Sequence, residues 1–208
     1  MTASDSDPPL EAVAVAIGLV LASALVTTAC RRTPAVRPIE SGSRIAVDGF
    51  SVLPPRAEGW HLTRRANGVW FDRPTPEGEW HTVTAFAALD PRPLPAGGLA
   101  AVEERTRGEL DQAALQGISV VLRGTRRIET AHRRCVEMVF DVEDPGVQGL
   151  GGVLRMVGVD RFCVERETPG APVIHLGYSQ RLPPMVTALP IDAEGRVFLD
   201  SLEFEARR

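Results

Sequence analysis

The chain has 208 residues, of which 44% are hydrophobic, and a formal net charge of −4 from 23 Lys plus Arg and 27 Asp plus Glu. This length is enough for one medium-sized domain with a substantial core. The nearly balanced charge provides no strongly basic face, so we expect no nucleic-acid partner.

An apolar segment close to the N-terminus carries the first prediction. Residues 12–29 have no charged side chain and run directly into Cys30, which two arginines follow. The stretch LVTTAC at residues 25–30 resembles the lipobox of bacterial lipoproteins, in which small residues precede a cysteine that receives lipid. The resemblance implies that residues 1–29 are a signal segment and that Cys30 becomes the lipid-bearing N-terminus.

Two other interpretations of this segment stay open. The 18 residues from 12 to 29, at about 1.5 Å each, nearly span a hydrocarbon core of about 30 Å, so a retained transmembrane helix is the second. Because Arg31, Arg32 and Arg37 follow it, the positive-inside rule would then place the domain in the cytoplasm. The third is an exported protein cut elsewhere, although no A-x-A site stands out. We take the lipoprotein interpretation as the prediction.

The residues after the cysteine differ in composition from the rest of the chain. Residues 30–44 are rich in Pro, Ser and Arg and have no apolar period. Such a composition is typical of a flexible tether. We therefore expect a tether over residues 30–44 and a folded domain over residues 45–208.

The first part of the domain contains strand-like runs. Residues 45–53 form one such run, which Pro54 and Pro55 end. Two further runs, at 68–71 and 80–86, are rich in β-branched and aromatic residues. The Pro- and Gly-containing residues 74–78 indicate a turn between them.

A long helix is predicted next, over Leu99 to Gln116. Its apolar and small residues recur at steps of three and four and so form one inward stripe: Leu99, Val102, Thr106, Leu110 and Ala113. Glu103 and Arg107 stand four residues apart on the opposite side, which adds modest support. Gly117 is well placed to end the helix.

The second half of the domain alternates strands and turns. Strands are expected over 118–123, 134–142, 156–166 and 173–182, with Gly124 as a break after the first. A short helix near residues 192–201 and a last strand-like stretch at 202–204 complete the domain. The predicted class is therefore α+β: a single antiparallel β-sheet with one long mid-chain helix and a C-terminal helix.

The two strands around Cys135 and Cys163 have side chains that match in one register. If Cys135 faces Cys163, then Glu137 faces Arg161 and Arg133 faces Glu165 on the same side of the sheet. The other side then holds three apolar matches, which pair Val136 with Phe162, Val142 with Met156, and Phe140 with Gly158. A shift of one residue would mix the two faces.

This register predicts a disulfide between Cys135 and Cys163 if the domain lies outside the cytoplasm. Such a bond closes a loop of about 28 residues and contributes about 3 kcal/mol in the chain-entropy model. Two reduced thiols are the alternative, expected for a cytoplasmic domain.

Several stretches resemble the PsbP-like family, which is named for a photosystem II extrinsic subunit and includes a Ran-binding release factor and bacterial envelope lipoproteins. The likeness lies in Gly49–Pro55 leading to Gly59 and Trp60, in the mid-chain helix, and in Phe198–Phe204. It covers most of residues 45–206. The family has no shared catalytic residues, so the resemblance implies a fold and no site.

Two stretches of the sequence resemble catalytic or nucleotide-binding motifs, but neither is complete. Gly177-Tyr178-Ser179-Gln180 lacks the second glycine of a nucleophile elbow, and prolines follow it instead of a helix. The glycine-dense residues 146–152 fit neither a P-loop nor a dinucleotide fingerprint. We therefore expect no enzymatic activity, no metal and no cofactor.

The leading hypothesis is a lipoprotein of the cell envelope, anchored to a membrane through Cys30 and facing the periplasm or the exterior. It would bind or support a protein partner there without catalysis. The alternative is a small-ligand, metal or haem-binding envelope domain. It would use the loop at 146–152 or a shared face of Cys135, Cys163 and His175.

Overall fold

The computed structural model describes residues 37–38, 42–75, 78–145, 152–188 and 192–205. The predicted signal segment, Cys30, most of the tether and residues 146–151 lie outside this part of the chain. The described elements in chain order are β1 (Arg37–Pro38), β2 (Ile45–Val47), β3 (Phe50–Val52), β4 (His61–Arg65), β5 (Gly68–Thr75), β6 (Gly78–Leu89), α1 (Gly98–Leu115), β7 (Ser119–Glu129), β8 (Arg134–Asp144), β9 (Leu154–Val164), β10 (Ile174–Leu182), α2 (Asp192–Asp200) and β11 (Glu203–Phe204).

The strands form two antiparallel sheets, and the prediction of a single sheet is wrong. Eight strands pair in the order β1-β4-β5-β6-β10-β9-β8-β7, and three shorter ones pair in the order β11-β3-β2. The run at 45–53 is divided because Asp48 and Gly49 form a two-residue turn between β2 and β3. Gly49 has a φ of +81° there, which suits a residue without a Cβ.

The two faces of the large sheet are covered by different elements. On the first face, the small sheet and α2 bury alternate residues of the central strands, with Phe50, Phe71 and Phe198 fully buried among them. On the second face, Leu99 and Val102 of α1 pack on residues from β8 and β9. The α+β class and the two helices are thus as predicted, in three layers.

The long helix closely matches its prediction. It spans Gly98–Leu115 and buries Leu99, Val102 and Ala113. Glu103 and Arg107 form an ion pair at 2.9 Å. Gly117 has a φ of +85° directly beyond the helix end, as a residue in this position requires. Neither described helix combines the length and hydropathy that a membrane crossing needs.

The structure differs from the local sequence expectations at three places. Gly124 does not end a strand, because β7 continues to Glu129 through a bulge between Leu122 and Gly124. The strand β4 was not predicted. Within the predicted tether, Arg37 and Pro38 pair with β4.

Candidate functional site

The register of β8 and β9 is the one that the side-chain pattern predicts. Cys135 faces Cys163 and Glu137 faces Arg161, and the three apolar matches on the other side are also present. The two sulfur atoms lie 2.12 Å apart, at disulfide distance, and both cysteines are buried. The paired strands end at Arg134 and Val164, one residue before the predicted pair Arg133 and Glu165, and Arg133 contacts the end of α2.

The alternative metal or haem face of Cys135, Cys163 and His175 does not form. In the register between β9 and β10, Ile174 rather than His175 faces Cys163. His175 therefore lies on the opposite face of the sheet, where its ring stacks on Phe162 at 4.2 Å and meets Phe86 edge-on. Within the described ranges, no group of three His, Cys, Asp or Glu side chains is arranged to hold a metal ion.

A buried ion-pair network occupies the first face, directly below α2. Arg161 is fully buried, and two of its nitrogens donate to Oε2 of Glu137 at 2.6 and 3.0 Å. Arg126 on β7 donates to the other oxygen of Glu137 at 2.6 Å. Charges can be kept in a low-dielectric interior only when paired and hydrogen-bonded in this way. The network therefore joins three adjacent strands.

The same network holds the C-terminal end of α2. Arg161 Nη1 donates to the backbone oxygen of Leu199 and to a carboxylate oxygen of Asp200. Arg133 donates to the backbone oxygens of Asp200 and Leu202 at 3.0 and 2.8 Å. Two guanidinium groups thus satisfy carbonyls that a helix end leaves without partners. Their role is to fix α2 on the sheet.

The network predicts a dependence of stability on pH. Burial alone would raise the pKa of Glu137, but the hydrogen bonds and charges of Arg126 and Arg161 outweigh it and lower that pKa. The stabilisation is therefore complete above the unfolded pKa of about 4.3 and is lost as the pH falls through the folded pKa. We expect the free energy of unfolding of the wild type to fall more steeply below about pH 4.3 than that of Glu137→Gln. Denaturant unfolding at several pH values measures both slopes, with Glu143→Gln as an exposed control. Equal slopes in all three proteins would contradict the assignment.

A second cluster surrounds Glu194 of α2. One carboxylate oxygen accepts hydrogen bonds from the backbone N–H of Ala57 at 2.8 Å and from the indole N–H of Trp60 at 3.0 Å. The other accepts from the hydroxyl of Tyr178 at 3.1 Å and faces Arg73 at 3.4 Å. The cluster joins α2, the segment before β4, and two strands. The Gly59-Trp60 stretch of the family resemblance thus has a structural role here.

Removing this carboxylate leaves the indole N–H of the buried Trp60 without its acceptor. We expect Glu194→Ala to lower the free energy of unfolding by about 2–3 kcal/mol, since each unsatisfied buried donor costs about 1–3 kcal/mol. Glu194→Gln, which keeps an acceptor, should cost about 1 kcal/mol. Urea unfolding followed by tryptophan fluorescence measures the effect. The control is Glu203→Ala, which removes an exposed ion pair with Arg44. If Glu194→Ala cost no more than this control, the cluster would not have the role described.

A cleft lies beside this cluster, between α2 and strands β8, β9 and β10. It has a volume of about 220 Å³. Three half-buried valines form most of its sheet side: Val139, Val157 and Val159. Tyr178 and the fully buried Gln180 form the adjoining wall, and the amide nitrogen of Gln180 lies 2.5 Å from Nε2 of the buried His81. Gly195 allows α2 to approach closely, since a Cβ there would lie 2.7 Å from the Tyr178 ring.

The sequence prediction did not identify the residues of this cleft. For Gln180 a signal was present, because it continues the alternation of Ile174, Leu176 and Tyr178 and so belongs to their buried face. For Glu194 and Arg196 no local pattern exists, since their surroundings depend on where α2 packs. Of the predicted site residues, the structure brings Cys135 and Cys163 together and separates His175 from them.

Of the comparisons with known proteins, only the one with solved structures gives matches, to 10 chains. No protein-family model and no curated protein matches the chain. Among solved structures, the solution structure of cyanobacterial PsbP (CyanoP) from Synechocystis sp. PCC 6803 matches with a TM-score of 0.47 and 11% identity. The match covers 87% of this chain and 99% of that one. An identity of 11% and a TM-score below 0.5 do not establish membership of that protein's family.

Proposed function

We propose that this protein is an envelope lipoprotein, anchored to a membrane through Cys30, whose domain binds or supports a protein partner without catalysis. The observation that carries the proposal is the position of Cys135 and Cys163, which lie at disulfide distance inside the core. Disulfides persist in oxidising compartments and are rare in the cytoplasm. A lipobox-like junction at Cys30 would deliver the domain to such a compartment.

The charged clusters also support a binding or accessory role. Arg161, Glu137 and Glu194 are engaged in holding α2 on the large sheet. Because these side chains are hydrogen-bonded to other parts of the protein, we assign them a structural role rather than one as acids, bases or nucleophiles. The function then belongs to the surface and to the anchor.

Labelling of the full chain with palmitate in bacterial cells tests the anchor. We expect the wild type to incorporate label, Cys30→Ala to incorporate none, and the Cys135→Ala/Cys163→Ala double variant to retain it. External protease added to osmotically opened cells should then degrade the domain. The retained-helix alternative predicts the opposite outcome: no label that depends on Cys30, and a domain that protease does not reach.

A partner can be sought once the anchor is established. Gentle cross-linking in native membranes, followed by purification and mass spectrometry, should yield a partner with the wild type. The Cys30→Ala protein, which lacks the anchor, is the matched control. Identical cross-linked species from the two proteins would show that association does not depend on the membrane position proposed here.

A further inference from the structure

The cleft between α2 and the large sheet combines an apolar wall with an unequal distribution of charge at its mouth. Its volume of about 220 Å³ has room for about seven groups the size of a water molecule. Val139, Val157 and Val159 are only half-buried along it. Apolar surface left open in a concave site favours a small hydrocarbon group over water.

Two charged residues line the mouth, and the described side chains supply a counter-charge to only one of them. Asp141 is bound by Arg123 on the neighbouring strand, whose nitrogens lie 2.6 and 2.8 Å from one carboxylate oxygen. Arg196 is exposed on α2, and no carboxylate of the described side chains lies within ion-pair distance of it. Among the described side chains, the mouth therefore carries one positive charge, that of Arg196, next to the valines. A guanidinium group in this setting suits a carboxylate, which it can bind through two parallel hydrogen bonds.

The polar wall limits what else can bind. Tyr178 donates its hydroxyl to Glu194, and Gln180 contacts His81. These side chains are engaged within the protein, so a ligand would gain its polar contact at Arg196 and its apolar contact at the valines. An amphiphile with a negative head and a short hydrocarbon part has this combination of groups.

We propose that this cleft binds a small amphiphilic monoanion, of the class of short aliphatic or aromatic carboxylates, with its carboxylate on Arg196 and its hydrocarbon part on Val139, Val157 and Val159. The proposal does not depend on the lipid anchor, because every residue that it uses lies in the folded domain.

Equilibrium dialysis of labelled hexanoate against the purified full-length protein in detergent tests the proposal. Hexanol is the neutral comparison ligand. The matched control for Arg196→Gln is Arg166→Gln, which removes an exposed arginine beyond the end of β9. Partition of hexanoate into detergent is common to all variants and cancels between them. We expect saturable binding in the wild type and in Arg166→Gln, and binding about three- to tenfold weaker in Arg196→Gln.

Filling the cleft provides a second, independent readout. Val157→Phe should abolish hexanoate binding, and if this variant does not fold, the smaller change Val139→Leu should weaken it. Hexanol should bind to the wild type more weakly than hexanoate does. Equal binding by Arg196→Gln and the wild type, equal binding of hexanol and hexanoate, or no saturable binding above the detergent background would each overturn the proposal.

Discussion

Replacing Arg161 by methionine is expected to lower the free energy of unfolding by about 3–5 kcal/mol, because the buried carboxylate of Glu137 then loses the positive charge and the hydrogen bonds of Arg161. Arg161 is fully buried, and two of its nitrogens contact that carboxylate. The substitution also removes the hydrogen bond from Arg161 to the backbone oxygen of Leu199 at the end of α2. Denaturant unfolding followed by circular dichroism gives the free energy.

The chain offers a matched control on the same two strands. Arg155 and Glu143 also face each other across β8 and β9, but they lie 3.6 Å apart and both are more than half exposed. Arg155→Met should therefore change stability by about 0.5 kcal/mol or less. The double variant Arg161→Met/Glu137→Leu should lose at least about 2 kcal/mol less than the sum of its single changes. Strictly additive losses would show that the two side chains are not coupled.

Removing the pair Cys135 and Cys163 should produce the second large loss. The sequence separation is 28 residues, so the Cys135→Ala/Cys163→Ala variant should lose about 3 kcal/mol of unfolding free energy. For a domain of this size that corresponds to a fall in Tm of about 6–12 °C. Differential scanning calorimetry of the two purified proteins measures it.

Reduction and thiol counting separate the bond from the packing of the two side chains. Dithiothreitol should lower the Tm of the wild type and leave that of the alanine double variant unchanged. Denatured, unreduced wild type should show no reactive thiol from Cys135 or Cys163. Cys30→Ala, outside the described residues, is the control and should leave the Tm unchanged. Two reactive thiols besides Cys30 would contradict the disulfide.

The register of β8 and β9 was predictable because the matches occur on both faces at once. Opposite charges at Glu137 and Arg161, cysteine against cysteine, and Phe140 over Gly158 agree only when the paired numbers sum to 298. The long helix was predictable for a similar reason, since its apolar period continues over several turns.

The next strand pair was not predictable to the residue. The turn between β9 and β10 contains Pro169 and Gly170, and its length fixes which residue of β10 faces Cys163. An error of one residue there moves His175 to the other face of the sheet. The small sheet was missed for a different reason. The Asp48-Gly49 pair is a strong hairpin signal, but the apolar residues on both sides of it also fit one longer strand.

The candidate cleft depends on contacts that are distant in sequence. The pairing of Glu137 with Arg161 follows from local alternation, but their burial does not, because α2 covers them from the far end of the chain. Arg196 lies at the cleft mouth for the same reason. The propensity of residues 192–201 predicts a helix, whereas its docking position depends on Phe198 and Leu199 fitting the first face of the sheet.

Mass spectrometry of the N-terminus of the mature protein, purified from membranes, tests the central claim most directly. The account predicts a first residue at Cys30 that carries the mass of thioether-linked diacylglycerol, with no peptide from residues 1–29. A mature chain that still contains residues 1–29, or an unmodified Cys30, would contradict it.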